Sequence, residues 1–167
     1  MAALKIVLAI TVSLLGMGHF DEPAKPEVSL KDATYSQVEE ALAAQRGKVV
    51  IVDIWSIYCI PCKKKMPHLV ELYEAKKKDG LAVITLTPDD KEDRAKVLAF
   101  LQERKATMNN LFLVKDPKPT KAQDEMFPTD FQPTVLVFNR EGKRVKLFDG
   151  EMKEKELDEL VGKLLKE

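Results

Sequence analysis

The chain has two cysteines, Cys59 and Cys62, separated by two residues. A disulfide between neighbours this close constrains very little of the unfolded chain, so its contribution to stability is small. The spacing suits chemistry better. One thiolate can attack a partner disulfide, and the second can then resolve the mixed disulfide. Two other uses of the pair are weaker. A zinc site needs about four ligands, and the nearest addition, His68, stands six residues after Cys62, too far round an expected helix. Covalent haem attachment needs His directly after the second cysteine, where this chain has Lys63. The redox-active pair is expected to work without metal or cofactor, with copper or zinc handling as the alternative of a different class.

The segment Trp55-Ser56-Ile57-Tyr58-Cys59-Ile60-Pro61-Cys62 lies between two different patterns. Before it, Lys48 to Trp55 carries Val49, Val50, Ile51, Val52 and Ile54, the β-branched run of a strand covered on both faces. After it, Met66, Leu69, Val70 and Tyr73 recur at helical spacing up to Gly80. Cys59 is therefore expected at a helix start, where unpaired N–H groups and positive partial charge favour a thiolate. Cys62 lies one turn further on the same face. Pro61 fits a first turn because its missing N–H costs nothing there. Asp53 interrupts the apolar run. An acid among Val and Ile is costly to ionise, which suggests proton transfer unless the strand end meets water. Trp55 reads equally as core and as substrate platform. Tyr58, beside Cys59, reads as exposed contact surface, and Lys63-Lys64-Lys65 as a solvated helix face.

Further elements complete an α/β pattern. Ser36 and Glu39 have capping-box spacing ahead of Val38, Ala41 and Leu42. Leu81–Thr87 reads as a second buried strand. Asp90–Arg104 reads as a helix with Ala95, Leu98 and Leu101 on one side. Leu111–Val114 is a short strand, and the proline-bearing stretch Lys115–Asp130 holds a short helix. Thr134–Asn139 and Arg144–Phe148 form a hairpin about Arg140-Glu141-Gly142-Lys143. Leu157, Leu160, Val161, Leu164 and Leu165 form the stripe of a final amphipathic helix. The order βα, βα, β, ββ, α predicts a central mixed sheet with helices on both faces.

With Val52-Asp53-Ile54-Trp55, Cys59-Ile60-Pro61-Cys62, Pro67 and Pro133-Thr134 in place, the sequence from about Ser29 onward resembles the thioredoxin superfamily. It is most similar to the exported TlpA/ResA/CcmG type of thiol–disulfide oxidoreductase. The strand and helix between Leu81 and Val114 resemble the inserted unit of that group. The resemblance implies Cys59 as nucleophile, Cys62 as resolving thiol, Asp53 as the buried acid, and Pro133 as a cis-proline beside the pair. It also implies substrate contact by Trp55, Tyr58, Pro61, Gln132 and Pro133. Tyr58 stands where the group usually has Trp, and Gln132 where small or β-branched residues are usual. Asp89 or Asp90 would stand in for a glutamate of the inserted loop.

The rest of the sequence bounds the setting. Lys plus Arg and Asp plus Glu number 27 each, so the net charge is zero and nucleic acid is not an expected partner. Lys5 followed by the apolar run Ile6–Leu15 and Gly16-Met17-Gly18 resembles an export signal. The run is shorter than the roughly 20 residues of an ordinary membrane span. The expected organisation is an export signal or short anchor over 1–19, a tether over 20–33, and one thioredoxin-like domain over 34–167. The implied function is disulfide exchange with protein substrates outside the cytoplasm, in reduction more than in oxidation or isomerisation. A membrane-bound or soluble thiol reductant would supply electrons to a monomer.

Overall fold

Val49–Ile54 forms strand β2, and all six of its side chains are buried. In the computed structural model, which describes residues 27–115 and 117–167, this strand occupies the interior of a six-stranded sheet. The other strands are β1 (Lys31–Ala33), β3 (Leu81–Thr87), β4 (Asn109–Leu113), β5 (Thr134–Phe138) and β6 (Arg144–Asp149). Their order across the sheet is β1-β4-β3-β2-β5-β6. β2 runs parallel to β3 and antiparallel to β5, with Asp53 opposite Thr85 on one side and Val135 on the other. The sheet is mixed, as the element order predicted.

Alternation along β2 sorts its side chains between two cores. Val49 and Ile51 join the core built from α2 (Ile60–Lys76), α3 (Arg94–Glu103) and α5 (Glu154–Leu164). That core contains Cys62, Met66, Leu69, Val97, Leu101, Leu157, Val161 and Leu164. Val50, Val52 and Ile54 face the opposite core, with Tyr35, Val38 and Leu42 of α1 (Tyr35–Ala43) and with Phe127, which follows α4 (Lys121–Met126). Asp53 shares the parity of Val49 and Ile51, and so lies under α2.

Several boundaries differ from the sequence reading. Lys31–Ala33, assigned there to the tether, pairs in parallel with Leu111–Leu113 as an edge strand. Only Ala33 of its three residues is buried, so it carried no hydrophobic pattern. α1 is capped by Thr34 and Gln37, two residues ahead of the expected Ser36 and Glu39. Asp90–Arg104 begins with a 3-10 turn over Lys91–Asp93, and the buried face of α3 carries Val97 and Leu101, with Ala95 exposed. Gly80 ends the α2 region at φ 102°, where a residue with a Cβ would be strained. The expected signal over 1–19 lies outside the described residues. Among the described residues no helix is long and apolar enough to cross a membrane.

Candidate active site

Cys59 is the N-cap of α2, with extended backbone at φ −79° and ψ 101°. Its Sγ accepts the Cys62 N–H at 3.2 Å, so the sulfur occupies the position that a Ser or Asp oxygen takes in an ordinary cap. Cys59 and Cys62 are joined by a disulfide across a Cα–Cα distance of 5.3 Å. The two sulfurs are unequal in access: Cys62 is fully buried, and Cys59 is partly exposed. Pro61 stands in the first turn and is exposed, and Pro67 lies inside the helix. Once the pair is reduced, the Cys62 N–H that the outer sulfur accepts and the dipole of this helix end favour a thiolate there.

The loop between β2 and α2 is held from the β3–α3 connection. Asp89 accepts the Ser56 hydroxyl at 2.5 Å, the Ile57 N–H at 2.8 Å and the Thr87 hydroxyl at 2.6 Å. Ser56 accepts the Tyr58 N–H at 3.2 Å, and its carbonyl accepts the Cys59 N–H at 3.0 Å. Asp89, one of the two residues, with Asp90, that the resemblance offered in place of a loop glutamate, thus anchors the approach to the cysteines. Tyr58 has 67% of its surface exposed, yet its hydroxyl donates to both oxygens of Asp93 at 2.8 and 2.9 Å. Lys96 completes this cluster at 2.7 Å from Asp93. Its ammonium first, and the Tyr58 hydroxyl second, hold the Asp93 carboxyl below its usual 3.8. Asp93 in turn, with Tyr58, raises the Lys96 ammonium above its usual 10.5.

Asp53 is fully buried beneath α2, and its Oδ1 accepts from the Lys65 ammonium. Lys65 is itself only 9% exposed, which corrects its reading as part of a solvated face. The reason is helical geometry: Lys65 follows Cys62 by three residues, so it shares the inward face of a buried residue. Asp53 Oδ2 is buried and has no hydrogen-bond partner among the described residues.

The Gln132–Pro133 bond is cis. Gln132 lines a shallow cleft with Ser56, Tyr58, Cys59, Ile60 and Pro61. Pro133 lines a second, which shares Pro61 with the first, together with Lys64 and Lys65. The Gln132 side chain is turned to the Thr129 carbonyl. Ile60 and Phe131 are 62% and 66% exposed, so with Tyr58 they give this end of the molecule an apolar surface. Tyr58, Pro61 and Gln132 therefore line one cleft with Cys59, and Pro133 lines the neighbouring cleft that shares Pro61 with it. Trp55 lines neither: it is fully buried and packs on Phe100 with ring centroids 5.3 Å apart. The expectation that it touches substrate is corrected, because the strand end carries it into the core.

Asp93, Lys96 and the inward role of Lys65 escaped the sequence reading. For Lys65 a signal existed in its three-residue spacing from Cys62; for Asp93 and Lys96 nothing local connects them to Tyr58. Among the described residues no group of three or more His, Cys, Asp and Glu side chains is placed to hold a metal ion. His68 pairs instead with Asp158 of α5 at 2.9 Å.

Comparison with known proteins agrees with this geometry. The model of the Redoxin family matches residues 21–164. The thiol-disulfide oxidoreductase ResA of Bacillus thuringiensis subsp. konkukian is 25% identical over 173 residues, covering 95% of this chain and 93% of its own. The thioredoxin domain of a thiol-disulfide oxidoreductase from Bacteroides vulgatus is 29% identical with a TM-score of 0.58, covering 72% of this chain and 84% of that one. A secreted Mycobacterium tuberculosis disulfide oxidoreductase homologous to DsbE of E. coli has a TM-score of 0.58 over 73% of this chain and 86% of that one. At 16% identity this last likeness speaks for the fold alone. A buried strand leading into a cysteine-capped helix, together with these matches, shows that the chain belongs to the Redoxin family and is a thiol–disulfide oxidoreductase of the TlpA/ResA/CcmG-like group in the thioredoxin superfamily.

Proposed function

We propose that the protein works outside the cytoplasm as a reductase of disulfides in other proteins, apocytochromes c among them, and is recharged by an upstream thiol protein. The observation that carries the exchange chemistry of this reading is the unequal access of the two sulfurs at the start of α2; the reducing direction and the setting outside the cytoplasm rest on the likeness to ResA. Cys59 is partly exposed and Cys62 fully buried, so one thiol meets the partner and the other is kept for resolution.

In the reduced protein, the Cys59 thiolate attacks a substrate sulfur, forming a mixed disulfide and releasing one substrate thiolate, which takes a proton. Asp53 then accepts the Cys62 proton. The Cys62 thiolate attacks Cys59, the Cys59–substrate bond breaks, and the second substrate thiolate leaves and is protonated. Two electrons pass from the pair to the substrate disulfide. Tyr58, Ile60 and Phe131 offer apolar contact, and the Gln132 main chain offers strand-type pairing to an extended segment.

Cys62→Ser is expected to accumulate mixed disulfides with partner proteins, and Cys59→Ser is not. Trapping by Cys59→Ser would reverse the roles. A reduction potential near thioredoxin's, about −270 mV, supports a reductase; one near −120 mV would make the protein an oxidant. N-terminal sequencing of the mature protein tests export, and an intact Met1 on a cytoplasmic protein would overturn it.

A further inference from the structure

The ion pair between Asp53 and Lys65 has one buried partner from the central strand and one from the active-site helix. A surface lysine has no reason to be there. Desolvating two charges is costly, and an apolar pair of similar volume would often serve stability as well. The pair sits where its position has a chemical use. Lys65 is three residues after Cys62 on α2, and Asp53 lies on the β2 face that α2 covers. The ammonium engages Oδ1 alone, leaving Oδ2 buried without a partner. A buried acceptor oxygen left open in this way is available for a proton.

We infer that Lys65 is a positioning residue for the resolving step: by holding Asp53 through one carboxylate oxygen, it keeps the other available to the Cys62 thiol. Lys65 touches no reacting atom. The Cys62 proton passes to Asp53 Oδ2, the Cys62 sulfur bonds to Cys59, the Cys59–partner bond breaks, and the departing thiolate is reprotonated. The inference rests on the redox function proposed above and concerns only its second half.

The test separates the two halves. Reduced protein is mixed with a disulfide-bonded peptide, and formation and decay of the mixed disulfide are followed by acid quench and mass spectrometry. Lys65→Met should slow decay at least about tenfold, a fraction of what a general base supplies. In the Cys62→Ser background, which stops after attack, Lys65→Met should leave the attack rate unchanged. Asp53→Asn should slow decay as well, and Asp53→Asn with Lys65→Met should be no slower than Asp53→Asn alone. The double variant contains no unpaired buried charge, so it keeps the comparison open if Lys65→Met alone does not fold. Decay at the unmodified rate in Lys65→Met, an equal slowing of attack, or additive effects in the double variant would overturn the role of Lys65. Failure of the unmodified protein to form any mixed disulfide would instead overturn the function on which it rests.

Discussion

Removing the Asp89 carboxylate tests how the active-site loop is held. Three donors converge on it: the Ser56 hydroxyl, the Ile57 N–H and the Thr87 hydroxyl. A hydrogen bond to a charged group contributes roughly 1.5–3 kcal/mol, and a buried donor left unpaired costs about 1–3 kcal/mol. The three donors do not count equally. Ser56 and Ile57 are partly exposed and regain water, whereas Thr87 is fully buried and cannot do so easily. Asp89→Ala is therefore expected to cost about 3 kcal/mol, well short of the summed maximum. For a domain of this size that is a fall in Tm of roughly 6–12 °C. Urea unfolding followed by circular dichroism measures it, with an unchanged m-value showing that only stability has moved. Asp90→Ala is the control: that residue is exposed and makes no side-chain cap, so its effect should stay within about 0.5 kcal/mol. A loss below about 1 kcal/mol in Asp89→Ala would mean that water replaces the carboxylate, and the loop would not depend on it.

Tyr58→Phe removes a donor that helps hold the Asp93 carboxyl below its usual 3.8. A group whose folded pKa is depressed stabilises the fold above its unfolded pKa, and that contribution is lost as pH falls through the folded value. The stability difference between Tyr58→Phe and the unmodified protein should thus be full above about pH 4 and shrink below it; a difference that stays constant into acid refutes the coupling. In the reduced protein, iodoacetamide should label Cys59 well before Cys62, since only Cys59 is exposed. Peptide mapping after timed alkylation checks this, and faster labelling of Cys62 would reverse the assignment of nucleophile and resolving thiol.

The parts of the fold legible in the sequence are those in which one residue's pattern repeats along its own element. Val49 to Ile54 announces a strand covered on both faces, and Leu157, Val161 and Leu164 announce the inner stripe of a helix; both lie where expected. The cysteine pair and its strand-to-helix context were equally local. What escaped depends on partners far along the chain. β1 owes its place to pairing with β4 rather than to its own Lys-Asp-Ala. Tyr58 reads as simple exposed surface until Asp93, 35 residues away, meets its hydroxyl. Lys65 shows a different limit. Three consecutive lysines suggest a solvated face, but consecutive residues on a helix point about 100° apart, and the third lands beneath the helix against Asp53.

The position of β2 also bears on the order in which the molecule comes apart. Two strands shield it on one flank, β5 and β6, and three on the other, β3, β4 and β1. Fluctuations that admit solvent begin at edges and termini and reach interior strands only in openings close to global unfolding. Fraying of β1, held by three residue pairs, therefore leaves the strand that carries Asp53 and leads into the cysteine loop intact. In native-state hydrogen exchange the amides of β2 should be among the last to exchange, and those of β1 among the first. Breathing at the sheet's margins then proceeds without interrupting the redox centre.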